Sequence, residues 1–198
     1  MRKIDLIVIH CSATREDRPF TEHDLDTAHR LRGFDGIGYH FYVRRNGDIK
    51  STRTVERVGA HARGYNAHSI GICYEGGLDS HGLAKDTRTE WQRHSLRVLV
   101  RALKMDYPEA RVVGHRDLSP DVNGNGEVEP MEWTKECPCF EVERGCVKTL
   151  AQPFLCTKPR LSQARALLFP KVFVSLGIKY FVMAKLHFRP YIPNQTVL

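Results

Sequence analysis

Ile7-Val8-Ile9-His10-Cys11-Ser12-Ala13-Thr14 is the stretch whose reading decides the fold. A short apolar run rich in β-branched residues predicts a buried strand, and polar residues follow it at once. His10 therefore stands at the C-terminal end of a central strand. Open α/β sheets bind ligands along that edge, so His10 is a candidate site residue. Alone it carries little weight, because a histidine at a strand end is more often a hydrogen-bonded structural residue. Two later residues change that: His115 in Val112-Val113-Gly114-His115-Arg116-Asp117, and Cys137 in Lys135-Glu136-Cys137-Pro138. Two imidazoles and a thiolate form a three-ligand zinc set with a fourth position left for water. Cys139, two residues on, competes with Cys137 for the sulfur position.

Working outward, Thr21 caps a predicted helix over about 22–32, with Glu22 and Asp24 in its first turn and Gly33 beyond its end. Residues 39–44 read as a strand that turns at Asn46-Gly47 into a partner near 48–52. Residues 69–75 read as another central strand, which ends at Gly76-Gly77. Thr87-Arg88-Thr89-Glu90 fits a capping box opening a helix to about 106, with Leu96, Leu99, Val100 and Leu103 on one face. Pro108 ends it, and a strand over 111–114 leads into His115. These elements predict an α/β fold: a single domain over residues 1–144 with a central mixed β-sheet flanked by helices.

Charge sets off the remainder. The chain has 198 residues and a net charge of +7. Residues 145–198 hold eight of the 30 Lys/Arg and no Asp or Glu, which leaves 22 basic against 23 acidic side chains before them. The body is near neutral, and 145–198 is a basic C-terminal extension of uncertain order. Contact of this tail with an anionic membrane surface is one expectation; a solvated, irregular extension is the other. Pro170 and Gly177 argue against one regular helix there. No nucleic-acid partner is expected, and the protein is expected to be a monomer. The six cysteines show no secretory disulfide framework, and Cys11 and Cys73 read as buried free thiols. No signal-peptide core follows Met1, and Lys171, Lys179 and Lys185 divide the apolar part of the tail, so no membrane span is expected. These features predict synthesis in the cytoplasm without a signal peptide.

The strings IVIHCSAT, GIGYHFYVRRNGDI, GAHARGYNAHSIGICYEGG, VVGHRDLSP and KECPCF, in this order, resemble the zinc-dependent N-acetylmuramoyl-L-alanine amidases of the phage-lysozyme type. That superfamily includes the peptidoglycan recognition proteins. The resemblance covers residues 4 to about 144. It implies that the zinc ligands are His10, His115 and Cys137, that the active-site tyrosine is Tyr39, and that the active-site lysine is Lys135. It also implies a peptidoglycan or muropeptide substrate, cut at the amide between N-acetylmuramic acid and L-alanine. Action on the cell wall would then follow release by lysis or a phage-type pore. His61 and Asn66 are plausible substrate-groove residues, with turn stabilisation the alternative reading. His23, His29, His81 and His94 read as surface residues. The rival readings are a recognition module on the same scaffold that binds muropeptide without cutting it, a polymerase-binding regulator, and a structural zinc site built from Cys137, Cys139, Cys146 and Cys156.

Between the second and third zinc ligands lies Asp121-Val122-Asn123-Gly124-Asn125-Gly126-Glu127-Val128-Glu129-Pro130-Met131-Glu132. It matches an EF-hand calcium loop, with Asp121, Asn123, Asn125, Glu127, Glu129 and Glu132 at the ligand positions. The alternative is a plain acidic turn. The cofactor expectation is therefore zinc, with calcium as a second candidate.

Overall fold

The computed structural model describes residues 2–143 and Gly145. Apart from Gly145, the extension over 145–198 lies outside the described residues. So do its membrane contact and Cys146 and Cys156 of the four-cysteine alternative. Five strands form one sheet in the order β4-β3-β5-β1-β7, from β1 (Leu6–Cys11), β3 (Phe41–Val43), β4 (Ile49–Ser51), β5 (Ser69–Tyr74) and β7 (Arg111–Gly114). All neighbours are parallel except the β3–β4 hairpin. A small second sheet pairs β2 (Thr14–Arg15) with β6 (Gly77–Leu78), which sequence reading did not anticipate. Strands of two residues carry no hydrophobic period for such a reading to find.

β1 has a parallel neighbour along each edge, and the rest of the domain packs over both of its faces. That explains its unbroken apolar run and the burial of all six residues. The helices are α1 (Glu22–Leu31), capped by Thr21, and α2 (Glu90–Asp106). α1 packs Leu25 against Tyr42 and Cys73. The predicted face of α2, Leu96, Leu99, Val100 and Leu103, is buried, and the Gln92 amide donates to the carbonyls of Val43 and Glu75. The α/β expectation of a central mixed sheet flanked by helices holds over the described residues.

One cap differs from expectation. The N-cap of α2 is Thr89 with Gln92 at the third helical position, not Thr87 with Glu90. Thr87 is buried and its Oγ1 accepts the Gly77 N–H at 2.7 Å, so its hydroxyl is already committed to β6. Where two overlapping boxes compete, the tertiary partner decides which one forms.

Register places the site. His10 pairs with Cys73, Val8 with Gly71 and Leu6 with Ser69. Residues two apart on a strand share a face, so His10, Val8 and Leu6 point the same way as Cys73, Gly71 and Ser69. Gly71 leaves a gap in this face, and the His61 ring fills it. A Cβ at Gly71 would come within 2.6 Å of that ring.

Candidate metal centre

Three chain segments meet at the C-terminal end of β1. His10 arrives as its penultimate residue and is 1% exposed. His115 follows β7 directly, with its N–H donating to the Ile9 carbonyl at 3.1 Å, so the end of β1 sets its height. Cys137 comes from the loop after the 3-10 turn Pro130–Glu132. One ligand atom from each of His10, His115 and Cys137 lies within 4.8 Å of the others. His10 Nδ1 faces Cys137 Sγ at 3.8 Å, and the Cys11 N–H points at the same sulfur from 3.3 Å.

The Cys137 loop is pinned rather than paired. Tyr74 Oη donates to the Pro138 carbonyl at 2.8 Å, and the Arg116 N–H donates to the Cys137 carbonyl at 2.8 Å. Pro138 packs on Gly114, where a Cβ would meet its Cδ at 2.7 Å. The Arg116 guanidinium lies 3.8 Å from the Trp133 ring centroid and pairs with Glu141; that of Arg88 lies 3.1 Å from the Phe140 centroid and pairs with Asp86. Such stacked arginines contribute about 0.5–2 kcal/mol each, more where water is excluded.

Cys139, the competitor, turns away. Its Sγ lies 3.8 Å from Cys11 Sγ and 3.3 Å from the Gly77 carbonyl. Cys11 and Cys73 are buried free thiols, as expected.

The electrostatics suit metal binding, because a ligand imidazole must be neutral. Burial, then the neighbouring imidazoles of His61 and His115 and the charge of Lys135, hold His10 well below the usual histidine range. Burial and then Lys135 bring His115 down to about 4. Lys135 itself is exposed. The Tyr39 ring lies 5.0 Å from His10 and 5.5 Å from His29. Burial raises its phenol well above the normal value, so it is a hydrogen-bond donor at neutral pH. Two nitrogens and one sulfur with an adjacent cation and phenol match the donor chemistry of a catalytic zinc site.

His61 and Asn66 sit differently from a pair lining an open groove. His61 is buried beneath His10, its Nδ1 3.0 Å from His10 Nε2 and its Nε2 3.3 Å from Ser69 Oγ. Asn66 Oδ1 accepts the N–H groups of His61 and Ala62 at 2.9 Å each, which is the turn-stabilising alternative. His29 is also buried, not a surface residue. Its Nδ1 accepts the Gly38 N–H at 3.0 Å, which fixes the backbone just before Tyr39. Its side of α1 faces the sheet, and a single polar residue in a helical period does not announce that.

The 121–132 loop organises itself. Asp121 accepts from Gly124 and Gly126, Asn123 from Asn125, and Asn125 from Glu127, while Glu132 accepts from Val122, Asn123 and Glu129. Among the described residues the only gathered group of three or more His, Cys, Asp or Glu is His10–His115–Cys137. The loop's carboxylates do not converge in that way, so the geometry lends calcium no support.

Comparison with known proteins places the chain in a family. The model of the N-acetylmuramoyl-L-alanine amidase family matches residues 1–139. An endolysin of Klebsiella phage KP32 is 33% identical over 138 residues, covering 70% of this chain and 82% of that protein. The endolysin of Escherichia phage T7 is 34% identical over 140 residues, covering 71% and 83%. Among solved structures, the N-acetylmuramoyl-L-alanine amidase LysC of Clostridium intestinale superposes with a TM-score of 0.57 at 32% identity, over 73% of this chain and 83% of that one. Drosophila PGRP-LB shares the fold at 22% identity, with a TM-score of 0.54 over 77% and 83%. The order of motifs, the converging ligands and the extent of these matches lead to one conclusion: the chain belongs to the N-acetylmuramoyl-L-alanine amidase family and is a peptidoglycan amidase.

Proposed function

We propose that the protein is a zinc hydrolase that cuts the amide joining the lactyl group of N-acetylmuramic acid to L-alanine of the peptidoglycan stem. The observation that carries this reading is the convergence of His10, His115 and Cys137 within 4.8 Å. In it, these three residues hold the metal. Zinc lowers the pKa of a bound water to about 7 and polarises a carbonyl, which answers the two obstacles to amide hydrolysis.

The remaining residues act on the substrate. Lys135, exposed and near enough for its charge to act on His10 and His115, places a cation where negative charge develops on the amide oxygen. Tyr39, kept as a phenol by burial, donates a hydrogen bond rather than removing a proton. The buried sheet behind His10 shields the reacting atoms from bulk water on that side. The phage endolysin relatives support a muropeptide substrate and action on the cell wall. No helix among the described residues is long and apolar enough to cross a membrane.

The test joins metal content to product chemistry. Purified protein is expected to contain one zinc and to release peptides with a free L-alanine amino terminus from purified cell wall. Chelation is expected to stop the release, and zinc to restore it. Release of reducing sugar instead, or full activity in metal-free protein, defeats the reading.

A further inference from the structure

We infer that His61 is a positioning residue for the metal centre: it accepts the Nε2–H of His10 and thereby turns the His10 Nδ1 lone pair toward His115 and Cys137. The inference rests on the zinc reading above and extends it to a residue that touches neither metal nor substrate.

Counting hydrogens on the two rings fixes their roles. His10 Nε2 and His61 Nδ1 face each other at 3.0 Å, a spacing that needs a single hydrogen between them. A neutral imidazole carries one N–H, so the location of that hydrogen fixes both rings. If His61 Nδ1 held it, His10 would bear its own hydrogen on Nδ1, aimed at Cys137 Sγ 3.8 Å away, with no lone pair for a cation. In the opposite arrangement every group is served. His10 donates from Nε2, and His61 accepts at Nδ1. His61 then donates from Nε2 to Ser69 Oγ at 3.3 Å, and His10 Nδ1 is free to bind metal. Ligating histidines are commonly held in this way through their second nitrogen, which orients the ring and raises its basicity.

The position of the His61 ring is determined on several sides. It lies over Gly71, and Gly59 flanks it, with a Cβ there reaching 2.5 Å from the ring. Asn66 Oδ1 clamps the N–H groups of His61 and Ala62. Ser69, at the far end of the relay, is fully buried, so water does not readily replace either member. The sheet has two small residues, Ser69 and Gly71, on the face that His10 shares, and the imidazole occupies the space they leave.

Three variants and two spectra test this. Metal-stripped wild type, His61→Phe, His61→Asn and His10→Ala are titrated with zinc against a chromophoric chelator. Phenylalanine keeps the ring volume without an acceptor, and zinc affinity is expected to fall roughly 10–100-fold. Asparagine puts an oxygen near the Nδ1 position and is expected to bind within about threefold of wild type, on the same reasoning. Cobalt(II)-loaded His61→Phe is expected to show an altered visible spectrum, a change that mere loss of stability does not produce. In zinc-loaded wild type, nitrogen-15 NMR is expected to place protons on Nε2 of both His10 and His61, which decides the matter even if a variant fails to fold. Wild-type zinc affinity in His61→Phe, or a proton on His61 Nδ1, overturns the inference and leaves the zinc reading standing. Failure of wild type to bind zinc, or unchanged binding in His10→Ala, overturns both.

Discussion

His10 and Cys137 face each other across 3.8 Å yet are held by different physics. His10 belongs to the central strand of a parallel sheet, with ladder bonds on both sides and neither face exposed. Cys137 hangs on a loop fastened by a phenol, a packed proline and two arginines lying on aromatic rings. The first half of the centre is therefore set by the cooperative core. The second half is set by individual side-chain contacts that can be loosened one at a time. A metal that binds both halves couples a rigid wall to a segment that it helps to secure.

The largest effect is expected where either half loses its ligand. His10→Ala and Cys137→Ala should each lower hydrolysis by roughly 10³-fold or more and abolish stoichiometric zinc, as measured by turnover and metal analysis. Cys139→Ser should retain both, because its sulfur points to Cys11 and Gly77 instead. Loss of zinc in Cys139→Ser with retention in Cys137→Ser breaks the assignment of the loop half.

Next come the groups proposed to act on the substrate, one from each half. Tyr39→Phe and Lys135→Ala should keep zinc and lose turnover by about 10²-fold, with KM little changed. Wild-type turnover in either variant removes that residue from the chemistry.

Cutting a fastener of the loop should loosen one half and leave the other intact. Arg116→Met removes the stacking on Trp133 and the pairing with Glu141. Zinc affinity should fall about tenfold, the equivalent of roughly 1.4 kcal/mol. Amide exchange across β1 and β5 should stay as slow as in wild type. Equal acceleration of exchange in the sheet and in 133–140 means that the two halves do not differ in kind.

Acid tests the sheet half alone. His40 is fully buried, and its Nδ1 accepts the Gly71 N–H at 2.9 Å. Burial first, offset in part by the Arg57 carbonyl, brings its pKa down to about 4 from the 6.5 expected of an unfolded chain. Between those values the unfolded chain binds the extra proton, so stability is full above pH 6.5 and declines as pH falls toward 4. Metal-free protein should lose on the order of 1–2 kcal/mol from this residue between pH 7 and 5, read by urea unfolding. His40→Gln should reduce that slope by this residue's share and leave the part due to His10, His61 and His115, and an unchanged slope removes His40 from it.

The smallest effect is expected in the 121–132 loop. An Asp121→Ala, Glu132→Ala double variant removes caps from an exposed turn and should move the Tm by no more than about 2 °C. Calorimetric titration with calcium should give the same response in both proteins. A binding isotherm in wild type alone restores the calcium reading.

Much of this is legible in the sequence, because periodicity and capping are local signals. The apolar run of β1, the amphipathic face of α2 and the Asn46-Gly47 hairpin each follow from a few adjacent residues. The motif order likewise pointed to His10, His115 and Cys137 and to the amidase family. Three facts were settled only by the tertiary structure: Thr89 caps α2, His29 and His61 are interior, and Cys137 rather than Cys139 meets the histidines. Each depends on what lies across space. The Gly77 amide claims Thr87, a gap over Gly71 admits His61, and Tyr74 and Gly114 fix Pro138 so that the preceding sulfur turns inward. Hydrogen bonds and close packing act over a few ångströms between residues up to 128 positions apart in the chain, and no local pattern carries that information.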